Sequence, residues 1–159
     1  MLKITGAISV ICAALLWGMH KCLLLKKRIY FLKNAQTAAW NADTRIRCLH
    51  LPLDECFSGD DGIFGYASQL IKEGEFPSEA VMKSVLNNGY IKESDREIFR
   101  GFASGLSAAD CEGQLSNIKL FCLRIAEAIS EAEEDFHTRG KLIFQGSLLL
   151  GAAVVIILI

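Results

Sequence analysis

"LIFQGSLLLGAAVVIILI", residues 142–159, contains eighteen consecutive residues without a charge. At 1.5 Å of rise per residue this run makes about 27 Å of helix, close to the thickness of a bilayer hydrocarbon core. No chain follows to fold over it, so the expectation is a retained C-terminal transmembrane helix over 142–159. The amino-terminal end repeats the pattern. "ITGAISVICAALLWGM", residues 4–19, is apolar and is followed by His20, Lys21, "CLLL" and then "KKR". Lys21 can snorkel to the headgroups and leave Leu23 to Leu25 near the interface, which predicts a first span over 1–25. A signal peptide is the rival, but Ile11 before Cys12 is bulky and no A-x-A site precedes the basic cluster. Lys26, Lys27, Arg28, Lys33 and Arg45 follow the first span, and Arg124, Arg139 and Lys141 precede the second. The positive-inside bias then places residues 26–141 in the cytoplasm as a helical domain, within a multi-pass protein of the cell membrane.

Between the spans the periodicity is helical, and no run has the alternation of a strand. The fold expected is all-α: a membrane hairpin bracketing a bundle of two long antiparallel helices and several short ones. Leu32, Ala39 and Ile46 repeat every seven residues, as do Ala35, Ala42 and Leu49, on a first helix that should stop before Pro52. "DDGIFGYASQLIKEG" offers Asp60 or Asp61 as a cap and Ile63, Phe64, Ala67, Leu70 and Ile71 as an apolar face ending near Gly74. "FPSEAVMKSVLNNG" starts at Pro77 or Ser78 and turns Val81, Val85 and Leu86 inward. "SDREIFRGFASGL" opens with a capping box of Ser94 and Glu97, with Ile98, Phe102 and Leu106 as its core face.

The last helix carries the longest pattern. Leu115, Cys122, Ile129, Phe136 and Ile143 recur every seven residues, and Ile118, Ile125 and Ala132 fill the interleaved positions. The expected helix-packing seam is therefore Leu115, Ile118, Cys122, Ile125, Ile129, Ala132 and Phe136, running on into the membrane. The Ala-rich stripe of the first helix would let it approach closely. The opposite face holds Glu127, Glu131, Glu134 and Asp135, the usual makings of a solvated surface. Thr5, Ser9 and Ala13, Ala14 and Gly18, and Ser147 and Gly151 are small-residue pairs four apart. They would let the spans pack on each other or on a second copy as a homo-oligomer.

Chemistry finds little purchase. A formal net charge of −1 and a pI near 6.3 carry no basic stripe for nucleic acid. There is no G-x-x-x-x-G-K-[ST], H-E-x-x-H or G-x-S-x-G, so neither an enzyme nor a cofactor is expected. His20, His50 and His137 are scattered. Cys48, His50, Asp54 and Cys56 cluster in "CLHLPLDEC" without the paired short spacings of a zinc site. "GDDG" at Gly59–Gly62 lacks the acids of a calcium loop. The six cysteines, Cys12, Cys22, Cys48, Cys56, Cys111 and Cys122, include no C-x-x-C and read as reduced apolar residues.

The succession of "MLKITGAI" opening into a span, "KKRIYFLKNAQTAAWNADTRI", the "PLDECF" corner, "SDREIFRGFASGLSAADCEGQLSNI" and a long helix into a terminal span resembles the stage III sporulation protein AB family. The Pro52-Leu53 corner and the series Asp95, Phe102, Leu106, Asp110, Gln114 and Ile118 carry it most specifically. That family is in turn similar to the GspF-type inner-membrane platforms of type II secretion. The resemblance implies a structural component of the SpoIIIA complex, in the mother-cell membrane around the forespore. By analogy its partners are the other SpoIIIA membrane proteins and the ATPase stage III sporulation protein AA, docked on the cytoplasmic domain. A membrane-anchored signalling or stress-sensing protein is the alternative that the helical hairpin also suits.

Overall fold

Residues 2–49 contain no proline, and the glycines at 6 and 18 are isolated. A helix once nucleated there meets no stop, and the computed structural model has one 48-residue helix, α1 (Leu2–Leu49). The structure describes residues 2–49, 53–57, 62–86, 88–106 and 111–158. A single turn α2 (Leu53–Cys56) is followed by α3 (Ile63–Lys72), α4 (Pro77–Leu86), α5 (Glu93–Leu106) and α6 (Cys111–Asp135). A five-residue π-helical turn (Phe136–Gly140) then leads into α7 (Lys141–Leu158). Among the described residues the fold is all-α, with no strand. By its internal contacts the chain divides into two units, one of Met1–Ile29 and Glu131–Ile159 and one of Tyr30–Ser130.

The short helices of the second unit are bounded by local chemistry. Gly62 occupies the N-cap of α3 and makes no side-chain capping bond, while its carbonyl accepts from the Tyr66 amide at 3.3 Å. The cap expected at Asp60 or Asp61 thus belongs to Gly62, and those two aspartates lie outside the described residues. At the other end Gly74 adopts φ +97°, the Glu75 amide reaches back to the Leu70 carbonyl at 3.1 Å, and the Gly74 amide to that of Ile71 at 3.0 Å. This is a Schellman closure, which needs a left-handed residue that glycine supplies without steric cost. Pro77 takes the first position of α4, where its missing N–H goes unneeded. At α5 the expected capping box moves back by two residues. The Lys92 amide donates to Asp95 Oδ2 at 3.2 Å, and the Arg96 amide closes the first helical bond on the Lys92 carbonyl. Ser94, already inside the helix and exposed, is not the cap.

A cluster of phenylalanines joins these elements. Phe102 stacks on Phe121 with centroids 4.3 Å apart, and Phe57 stacks on Phe64 at 4.7 Å. Phe64 meets Phe102 at 5.7 Å and Phe121 at 6.2 Å edge-on; Phe99 meets Phe121 at 5.2 Å and Phe31 of α1 at 5.7 Å. Each such pair adds about 0.5–1.5 kcal/mol beyond the area it buries. Phe64, Phe99, Phe102 and Phe121 are at most 2% exposed, which makes this cluster the centre of the unit. Around it the buried faces follow the expected periods with three shifts. Phe99 and Ala103 take the place of the half-buried Ile98 on α5. Ser68 joins the buried face of α3 while Ile63 and Ile71 are half-buried. Leu86, at the end of α4, is 54% exposed, with Ala80 and Ser84 turned inward beside Val81 and Val85.

Candidate functional site

Within the second unit the α6 seam is buried at Ile118, Cys122, Ile125 and Ile129, whereas Leu115 is half-buried. It is wider than a strict heptad stripe, because Phe121 and Ala128 are buried as well. On α1, Leu32, Ala35, Ala38, Ala39, Ala42 and Ile46 are buried. Gln36 Nε2 of α1 donates to the Cys122 carbonyl of α6 at 3.4 Å. On the far side of α6, the Asn117 amide donates to the Phe102 carbonyl of α5 at 2.9 Å. Gly105 makes room for it, since a Cβ there would stand 2.5 Å from the Asn117 amide nitrogen.

The other unit pairs the two ends of the chain. Gly18 lies against Ser147, the Cys22 thiol donates to the Gly140 carbonyl at 3.4 Å, and Arg28 Nη1 donates to Asp135 Oδ2 at 3.4 Å. As the α1 numbers rise the partner numbers fall, so the two segments run antiparallel. Arg28 is 2% exposed and also stands 3.8 Å from Glu131 Oε1; Arg139 Nε reaches Asp135 Oδ1 at 3.0 Å. Asp135, itself 12% exposed, thus lies between two guanidinium groups. Asp135, expected on a solvated face, is half-buried between ion-pair partners, whereas Glu127, Glu131 and Glu134 are exposed as expected, Glu131 also facing Arg28. Lys26 places its ammonium 5.4 Å from the centre of the Phe136 ring.

In this unit Ala132 is 1% exposed, and the register of the buried positions then changes. Phe136 is half-buried, and the buried positions that follow among the described residues are Gly140, Ser147 and Gly151; Ile143 is half-buried and Leu150, one heptad on, is 68% exposed. The π-helical turn is the physical reason. Its i→i+5 bonding takes one more residue per turn than an α-helix, which rotates everything beyond Gly140 relative to the heptad.

Of the residues weighed for chemistry, His50 and Asp54 fall where side chains lie outside the described residues, Cys48 is exposed and Cys56 buried. Among the described residues no three His, Cys, Asp or Glu side chains come together as a metal site. Burial, with Asp43 adding to it, pushes the Cys122 thiol up to about 11. It is a core residue rather than a nucleophile at neutral pH. The arrangement can hold helices in register and present surfaces. Among the described residues one helical run, Glu112–Ile156, is long and apolar enough to cross a membrane, and only 18% of its most apolar stretch is buried.

A family model described as stage III sporulation protein AB matches residues 3–159. The chain belongs to the stage III sporulation protein AB family. Among solved structures, stage III sporulation protein AB (SpoIIIAB) shares the fold at a TM-score of 0.58 and 21% identity, covering 69% of this chain and 96% of that one. No curated protein matches the chain. Membership of the stage III sporulation protein AB family supports a role in the SpoIIIA complex, in association with other proteins of that complex. For a stage III sporulation protein AB family member, the buried Arg28 with its distant carboxylates and the phenylalanine cluster are the features that sequence patterns miss. The only signal for Arg28 was its place one turn before a run of buried positions at 31, 32 and 35.

Proposed function

We propose that this chain is a membrane-anchored structural platform of the SpoIIIA complex. Residues 1–25 and 142–159 form a transmembrane hairpin in the mother-cell membrane around the forespore, and residues 26–141 form a cytoplasmic domain that docks the ATPase stage III sporulation protein AA. The antiparallel pairing of the two apolar ends carries this reading. The pair turns Leu16, Trp17, Met19, Leu148, Leu149 and Leu150 outward, each between 47% and 71% exposed, a surface that suits lipid better than water. Basic side chains gather at one end of the pair, at Lys21, Lys26, Lys27, Arg139 and Lys141, as the positive-inside bias favours on the cytoplasmic side.

For the ATPase, the exposed aromatic and aliphatic residues of α3, α4 and their junction, Tyr66, Phe76 and Leu86, offer the apolar anchors that interface cores use. Protease added to intact protoplasts should leave residues 26–141 intact and should digest them in inverted vesicles. Digestion from outside the cell would refute the topology. Tyr66→Cys and Leu86→Cys chains should crosslink to the ATPase in sporulating cells, and crosslinks from other faces alone would refute this docking surface.

A further inference from the structure

Ala14 and Trp17 of α1 and Ser147 and Leu150 of α7 line an open cavity of about 320 Å³ on the side of the helix pair. This is about ten times the share of volume of one water molecule. Its rim is greasy, with Trp17 59% and Leu150 68% exposed, and Ser147, 5% exposed, is turned into the packing. Lys21 follows Trp17 by one helical turn and holds its ammonium 5.8 Å from the centre of the indole ring. A cation and an apolar slot are thus about 6 Å apart along one helix.

We propose that this groove binds an anionic glycerophospholipid, with an acyl chain between Trp17 and Leu150 and the headgroup phosphate on Lys21. The inference rests on the membrane reading above. The charge at the groove mouth favours an anionic lipid over a zwitterionic one. Arg139 and Lys141, both exposed, extend the positive field on the facing helical segment of the pair. The carboxylates begin only at Asp135, about 9 Å further from Lys141 along the helix, and Asp135 is engaged by Arg28 and Arg139. A strongly hydrated ammonium resting on an indole face is a point charge suited to a phosphate oxygen.

The chain has two tryptophans, and Trp40→Phe leaves Trp17 as the sole reporter in the groove. The full-length chain carrying that change is reconstituted in vesicles of equal parts phosphatidylglycerol and phosphatidylcholine, with bromine on the acyl chains of one lipid or the other. Quenching of Trp17 should favour brominated phosphatidylglycerol by about fivefold, the preference expected from one lysine near an anionic headgroup. Lys21→Gln, at an exposed position, should bring the two lipids to equality. Equal quenching in the parent chain overturns the lipid site and leaves the membrane reading standing, whether bulk lipid or a second copy fills the groove. Quenching by neither lipid overturns both.

Discussion

Asp135 is the residue whose loss should cost the helix pair most. Arg28 is 2% exposed and its Nη1 lies 3.4 Å from Asp135, whereas Glu131, a second carboxylate near it, is 53% exposed and stands 3.8 Å away. Asp135→Leu removes the nearer of the two carboxylates described beside a buried guanidinium. Breaking a buried pair from one side typically costs about 3–5 kcal/mol. The residual Glu131 contact places the expectation at the lower edge, about 3 kcal/mol. Arg28→Met removes the buried cation instead and leaves Asp135 to Arg139, so the loss should be about 1.5 kcal/mol, that of a charge-assisted hydrogen bond. Arg139→Ala removes an ion pair whose cation is 67% exposed and should cost no more than about 1 kcal/mol. Combining Arg28→Met with Asp135→Leu should cost less than Asp135→Leu alone, because no buried charge then remains unmatched. Thermal unfolding of the full chain in detergent, followed by circular dichroism, reads these as shifts of about 2–4 °C per kcal/mol. Asp135→Leu melting with the parent chain, or Arg139→Ala lowering the midpoint as far as Asp135→Leu, would refute the ranking.

Gly18→Val should destabilise the pair by about 1–3 kcal/mol, since any Cβ collides with Ser147; Gly6→Ala, where a Cβ meets nothing within 4 Å, should be neutral or stabilising in the same melt. Gly105→Ala should drive Asn117 off the Phe102 carbonyl and cost about 1–3 kcal/mol, readable as loss of hydrogen-exchange protection in α5. Cys122 should resist alkylation at pH 8, where a thiol titrating at about 11 is about one part in a thousand thiolate, while exposed Cys48 reacts. The same thiol sets a sign for stability. Its proton is held more tightly in the folded chain than in the unfolded one, so its contribution is complete below about pH 9 and is lost as pH rises toward about 11. Urea unfolding across that window, compared with a Cys122→Ala chain, checks it.

The parts legible in the sequence were those with local causes. The period of Ile118, Cys122, Ile125 and Ile129 locates the buried face of α6 because neighbours on a helix are set by spacing alone. Gly74 marks its helix end because few residues besides glycine take a left-handed backbone cheaply. Local rules faltered where two solutions sit side by side. "KESDRE" contains both Lys92 with Asp95 and Ser94 with Glu97, and tertiary burial of Asp95, 1% exposed, decides for the first. Leu86 follows the inward Val85 so closely that only the end of α4 turns it outward. The π-helical turn has no residue signature, so the heptad through Phe136 to Ile143 looked continuous. The ion pair of Arg28 was beyond reach, because charged residues flanking an apolar segment read as solvated unless their partners are adjacent in sequence.

Arg28 and Asp135 are 107 residues apart in the chain. A ribosome adding about 5–20 residues per second makes the carboxylate roughly 5–20 s after the guanidinium. For that interval the nascent Arg28 lacks the Asp135 carboxylate. The clasp between Arg28 and Asp135 therefore closes only after the whole of the intervening helical unit has been made.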